Sequence, residues 1–304
     1  MIRTLTGSRP RHLLPYALLA PAGIIFTLVL GLPLVRLLII SFQDYGLRTL
    51  FTGTVSWAGL GNYRAVLSSG ELVPTLVRTV VFCATLVAGT VLIGMLVAHA
   101  LGALGKRMRF AVMFCLLPAW AIPQVSAALI WQWLFQPTFG VVNWLLSELG
   151  VFGNLSQHDF LATPLSAFII VWLLVVWESV PFVALTLHAG LSQIQREYYE
   201  AAALDGAGWW RRFRVITLPF LRPVLVIVLV LSVVWDFNVY NQIWVLTQGG
   251  PDNGTTTIGI WSFTQAFSSQ NYGQGAAIAV LSVLLLMLLT GWWVRRLVRA
   301  EGEQ

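Results

Sequence analysis

Two carboxylates, Glu178 and Asp236, stand deep inside apolar runs of the sequence. An ionisable side chain at that depth is costly and marks a functional site by default. Val175, Glu178, Ser179 and Phe182 follow the i, i+3, i+4, i+7 spacing of one helix face, and Ser232, Trp235, Asp236 and Val239 repeat it on a second run. Each stripe joins a hydroxyl, an aromatic ring and a carboxylate. That mixture suits non-covalent binding of a hydroxyl-rich solute, because a carboxylate accepts from paired hydroxyls while an aromatic face covers the C–H side of a sugar ring. Pro181 removes a backbone donor beside Glu178 and predicts a kink there that would help line a cavity. The competing reading makes both carboxylates helix glue, neutral or bonded to groups of a partner chain at about 1 kcal/mol each.

A second constellation lies in the longest polar stretch, EYYEAAALDGAGWWRRFRVITLP, residues 197 to 219. The sequence predicts a short helix through Leu204, a turn at Asp205-Gly206 whose glycine takes the left-handed conformation, and a second short helix. Pro219 and Pro223 are then placed at the restart of the chain, where missing donors cost least. Ala201, Ala202 and Ala203 keep the first helix thin enough for another backbone to approach, and Glu200 offers one acidic point contact. Trp209, Trp210 and Phe213 form an aromatic face beside Arg211, Arg212 and Arg214. By physics alone this is either a docking surface for a protein or an amphipathic hairpin lying on a lipid leaflet.

The elements that must position both constellations are membrane helices. The chain has 304 residues, 58% hydrophobic and 10% charged, where soluble domains carry about 25% charged residues. Six apolar runs are long enough to cross the hydrocarbon core, at 13–40, 73–101, 110–135, 164–189, 221–246 and 274–294. Each has to be helical to satisfy its own backbone in lipid. The first run is too long for a secretory signal and no cleavage site follows it, so it is read as a retained helix. Fourteen of the eighteen basic residues fall before run one (Arg3, Arg9, Arg11), between runs two and three, between runs four and five, or after run six. The positive-inside rule therefore puts both termini and the 191–220 loop in the cytoplasm. The expected fold is an all-α polytopic membrane protein with six spans in one domain over 1–304.

Other chemistry is excluded or muted. The nearest approach to a phosphate loop, GALGKR at 102–107, has the wrong spacing and Arg107 in place of the magnesium-binding hydroxyl. There is no Cys/His metal pattern, no G-x-S-x-G and no catalytic constellation. The net charge of +6 fits loops facing an anionic leaflet and needs no nucleic-acid partner. Cys83 and Cys115 read as small packing residues. His99 and His188 read as interfacial hydrogen bonders, and Trp57, Trp144, Trp292 and Trp293 as interface belts. Asn238, Asn241 and Gln242 read as a packing stripe for another subunit, and Arg78 as a snorkelling side chain.

The loop's spacing resembles a known family. Glu200-Ala201-Ala202, three residues, Gly206, nine residues, then Ile216-Thr217-Leu218-Pro219 is similar to the coupling loop of binding-protein-dependent ABC importer permeases. LLAPAGIIFTLVLGLPLVRLLIISF (18–42), WAGLGNYRAVL (57–67), WQWLFQPTFGVVN (131–143), VWESVPF (176–182), YNQIWVLTQGGP (240–251) and YGQGAAIAV (272–280) resemble the carbohydrate branch that includes maltose and glycerol-phosphate permeases. The resemblance implies the ABC type I importer permease fold, a prokaryotic plasma-membrane location and no activity as an enzyme. It implies that Glu200, Ala201, Ala202, Asp205, Gly206, Ile216, Leu218 and Pro219 couple transport to ATP hydrolysis, with ATP and Mg bound by the partner ATPase and no cofactor in this chain. It implies a second permease subunit in a pseudo-twofold heterodimer, two cytoplasmic ATPase subunits, an extracytoplasmic solute-binding protein, a carbohydrate substrate and membrane lipid as partners. In maltose-type relatives the sugar is met at the positions that align with Val175, Glu178, Ser179, Phe182, Ser232, Trp235, Asp236 and Val239. The runner-up is a stand-alone carrier or channel driven by an ion gradient, with Glu178 and Asp236 as proton sites.

Overall fold

Prolines and small residues decide where the apolar runs break and how closely they pack. The computed structural model describes residues 14–150, 153–155 and 157–302. The arginines at 3, 9 and 11 lie outside the described residues, as do the side chains of Trp292 and Trp293. Among the described residues the fold is all-α apart from one pair of two-residue strands, Gln43–Asp44 and Ser56–Trp57. Among the described residues five helices are long and apolar enough to cross a membrane, and a bent pair makes a sixth if taken as one span.

The chain divides into two units. One comprises the described residues up to Ser68 together with Thr264–Val280. Its first span runs Leu18–Ser41, with one π-helical turn at Thr27–Gly31, and its side chains are almost entirely exposed. The span ends on a small polar platform. Buried Asn62 donates to the carbonyls of Ser41 at 3.0 Å and Gln43 at 2.8 Å, and the strands pair antiparallel with Gln43 opposite Trp57. Gly273 donates its N–H to Tyr45 O at 2.9 Å, an approach a side chain would block, since a Cβ there would collide with Gln43 O.

The second unit, Ser69–Phe263 with the chain after Val280, is built around helices Leu72–Ala103 and Pro164–Leu191. In lipid, association relies on close packing rather than on the hydrophobic effect, so small residues let backbones approach. A Cβ on Gly94 would come within 2.6 Å of Val183 Cγ1, and one on Gly89 would collide with Trp172. Leu86, Val171, Leu174, Ala127, Ala128 and Ile243 are fully buried in the resulting core. His188 Nδ1 lies 3.2 Å from Ala98 O and His99 Nδ1 2.9 Å from Met95 O, so both histidines are held by backbone carbonyls. Cys83 packs inside, but Cys115 is exposed on its helix instead of packing.

Two expectations are corrected. The run at 110–135 is not one helix: Lys106–Ala121 and Gln124–Leu134 meet at 99°. The cause is Pro123, which keeps Ile122 extended at φ −67°, ψ 133°. Pro181, by contrast, lies inside one continuous helix, Pro164–Leu191. The separate second loop helix is absent. Trp209–Arg212 passes through a π-helical turn, Phe213–Thr217, directly into Leu218–Phe237. The wider i→i+5 bonding of that turn carries the helix past Pro219, which has no N–H to give.

Arg78 is half-exposed and its Nη1 donates to Thr256 O at 3.1 Å, beside the bond from Ile258 N to Thr79 Oγ1 at 2.9 Å. Arg78 and Thr79 thereby pin a threonine-rich loop in which Thr255, Thr256 and Thr257 are buried.

Candidate functional site

The two polar stripes face one space. A cavity of about 410 Å³ is lined by Val175, Glu178, Ser179 and Phe182 from one helix, by Ser232, Trp235 and Asp236 from the other, and by Val239 in the break that follows it. All eight positions expected from the spacing therefore come together. Phe182 and Trp235 meet edge to face with ring centroids 5.2 Å apart, and Trp120 stacks on the other side of Phe182 at 6.1 Å. Trp235 is 48% exposed, so part of its ring is free to meet a solute. Aromatic surface and carboxylates share one wall, the combination a sugar ring requires.

Most lining residues that the spacing did not supply come from two breaks in the helices, the exceptions being Val183 and Val234 within the helices themselves. Trp120, Ile122 and Gln124 belong to the bend at Pro123. Asn238 and Gln242 flank the break between Leu218–Phe237 and Asn241–Leu246. The helices that wall the cavity are thus broken at Pro123 and at Asn238–Tyr240. Such backbone is tolerated at membrane depth where it lines a cavity or is buried in protein. Within the 238–242 stripe Gln242 turns inward: it is 3% exposed and donates from Nε2 to Glu178 Oε2 at 2.8 Å. Asn241 is half-buried and donates to Gln124 Oε1 at 2.9 Å, and Asn238 is exposed.

Glu178 and Asp236 are 8% and 5% exposed. Glu178 Oε1, Asp236 Oδ2 and Gln242 Oε1 have no hydrogen-bond partner. An orphaned buried acceptor costs free energy and leaves a place for a donor from outside.

The loop is built differently. Its helix Arg196–Leu204 ends in a Schellman cap: Gly206 sits at φ +74°, Ala207 N donates to Ala202 O at 2.9 Å and Gly206 N to Ala203 O at 3.0 Å. Glu200, Ala201, Asp205 and Gly206 are exposed, and Ala202 is half-buried. Leu204 is 91% exposed, and Trp209 and Trp210 are 64% and 59% exposed. Leu218 and Pro219 remain exposed, but Ile216 is buried. Ile216 and its buried neighbour Thr217 anchor the loop to the helices instead of joining its open face. Thr217 Oγ1 is 2.9 Å from Tyr199 OH, and Phe213 lies against His99 at 5.6 Å.

A polytopic helical fold, a polar cavity between broken spans and an exposed capped loop define a membrane transport subunit. Residues 90–301 match the family model described as the binding-protein-dependent transport system inner membrane component, and the chain belongs to that family. It is a permease subunit of an ABC importer in the plasma membrane, and ATP hydrolysis belongs to a separate subunit. This sets aside the stand-alone carrier.

The chain is 41% identical over 302 residues to the diacetylchitobiose uptake system permease protein DasB of Streptomyces coelicolor, covering 99% of this chain and 92% of that protein. It is 37% identical over 234 residues to the trehalose/maltose transport system permease protein MalF of Thermococcus litoralis, covering 77% of each. The crystal structure of a bacterial ABC transporter involved in the import of the acidic polysaccharide alginate contains a chain that superposes with a TM-score of 0.81 at 22% identity, covering 95% of this chain and 96% of that one. At that identity the likeness shows the fold alone.

Proposed function

We propose that this subunit conducts a carbohydrate into the cytoplasm through the cavity between Pro164–Leu191 and Leu218–Phe237, driven by an ATPase that grips the 191–220 loop. One observation carries the reading. The eight stripe residues, chosen by helical spacing, line a single cavity and leave buried acceptors unpaired within it. Relatives named for diacetylchitobiose and for trehalose and maltose support a saccharide.

In this reading both termini and the loop face the cytoplasm, in keeping with the placement of the basic residues. A sister permease completes a pseudo-twofold heterodimer, two ATPase subunits bind ATP and Mg, and an extracytoplasmic binding protein delivers the solute. Glu200, Ala201, Ala202, Asp205 and Gly206 form the open contact surface with Leu218 and Pro219, while Ile216 transmits its motion inward.

The test is isolation of the tagged chain from its native membrane, followed by reconstitution with whatever co-purifies. An ATPase and a second permease should be retained, and labelled diacetylchitobiose, trehalose and maltose, each with its delivering protein, give the uptake panel. Uptake of any of these by the isolated chain, with no ATPase present, would refute the coupled mechanism.

A further inference from the structure

The cavity has a charge sign. Its charged lining residues are Glu178 and Asp236, and among the described residues no Lys, Arg or His contributes to its wall. Each carboxylate is more than nine-tenths buried. The three orphaned buried atoms on the wall, Glu178 Oε1, Asp236 Oδ2 and Gln242 Oε1, are all acceptors. Two amide donors on the wall are already committed, Gln242 Nε2 to Glu178 and Asn238 Nδ2 to Val234 O at 2.9 Å, while the hydroxyls of Ser179 and Ser232 and the indoles of Trp120 and Trp235 remain as neutral donors. What the three orphaned acceptors lack is a donor that reaches them, and what the wall lacks is positive charge. A neutral sugar hydroxyl supplies the first, and a uronic acid brings a third carboxylate into a buried site that already holds two. A protonated amine supplies both, as three N–H donors and a charge, and bonds between ionised partners are about twice as strong as neutral ones.

We propose that this cavity selects a saccharide bearing a protonated amino group and discriminates against uronic-acid sugars, with Glu178, Asp236 and Gln242 as the selecting groups. The inference rests on the cavity being the solute's path, and the experiment separates the two.

Three disaccharides of one skeleton serve as probes: chitobiose with free amines, cellobiose with hydroxyls at the same positions, and cellobiouronic acid. Their binding to the assembled transporter, purified without its binding protein, is followed by saturation-transfer NMR. Chitobiose should bind about tenfold or more tightly than cellobiose, and cellobiouronic acid more weakly than either. Glu178→Gln with Asp236→Asn should level the amine and hydroxyl probes to within about twofold. Asp236→Asn alone, which leaves the Gln242–Glu178 bond intact, should level them in part, and it decides the matter if the double variant does not assemble. Equal binding of chitobiose and cellobiose by the native complex, no binding of either, or a preference that survives the variants would overturn the inference. Ser232→Trp, which fills the cavity, tests the parent reading. Loss of all probe binding keeps the cavity as the path, whereas chitobiose binding that survives Ser232→Trp would place the sugar elsewhere and remove both claims.

Discussion

The cavity and the 196–219 loop leave opposite kinds of group unsatisfied. In the cavity the unmet groups are polar and buried: three acceptors without partners, behind aromatic rings. On the loop the backbone ends are capped and the exposed groups are large and apolar, Leu204, Trp209 and Trp210. Orphaned buried acceptors call for a small ligand that brings donors into a confined volume. A capped helix presenting wide apolar area calls for a large partner that covers it, since exposed apolar patches mark interaction sites. The difference separates a binding step from a mechanical one along the same chain, and variants should affect one without the other.

The largest effect is expected at the loop's turn. Gly206→Pro forces φ from +74° to about −65° and deletes the N–H that caps Ala203 O. Solute-stimulated ATP hydrolysis and uptake in the reconstituted complex should both fall by about a hundredfold or more, with probe binding in the cavity unchanged. Glu200→Ala should lower the same coupling readouts by less, since it removes one exposed contact and leaves the cap intact. If the Gly206→Pro complex, once assembled, kept full uptake, the loop would have no coupling role.

Asp236→Asn comes next. It preserves shape and removes a charged acceptor, and a hydrogen bond to a charged group is worth about 1.5–3 kcal/mol. The apparent affinity for uptake should weaken about ten- to a hundredfold, with basal ATP hydrolysis and complex yield maintained. A drop in yield with unchanged uptake kinetics would mean that Asp236 holds helices together. Trp235→Ala should follow in the same direction with a smaller effect. Loss of an aromatic contact between this half-exposed ring and the solute costs about 0.5–1.5 kcal/mol, so a KM rise of about two- to tenfold is expected, and equal KM in wild type and variant would remove that ring from the site.

Legibility in the sequence tracked regularity of backbone. Glu178 and Ser179, like Trp235 and Asp236, lie on uninterrupted helices, so the 3.6-residue period placed them on one face correctly. Gln242 follows the break at Asn238–Tyr240. Helical phase counted from Asp236 does not carry across that break, and the amide looked outward when it points at Glu178. Trp120 and Gln124 flank Pro123, and a hydropathy window that averages over Ile122-Pro123 hides a 99° bend. The Schellman turn at Gly206 was readable because glycine after an alanine-rich helix has one strong meaning. The π-helical turn at Phe213–Thr217 was not, because it shifts hydrogen bonds by one residue and needs no special residue type. Buried Ile216 shows the limit of a motif, which groups residues by spacing and not by the direction in which each side chain points.

The smallest predicted effect tests whether loop and span move as one body. Tyr199 OH and Thr217 Oγ1, 2.9 Å apart, join the first loop helix to the π-helical turn that runs on into Leu218–Phe237. The same span carries Ser232, Trp235 and Asp236 into the cavity. A neutral bond of this kind contributes about 0.5–1.5 kcal/mol, so Tyr199→Phe should lower the amount of solute moved per ATP hydrolysed by about two- to tenfold. KM should stay the same, because the cavity is untouched. Thr217→Val should do likewise, and the double variant should do no worse than either single one, since both remove one bond and partners in contact are not additive. Additive losses would mean that the two hydroxyls act separately. A change in KM would mean that the loop and the cavity are not the distinct devices their opposite chemistry makes them.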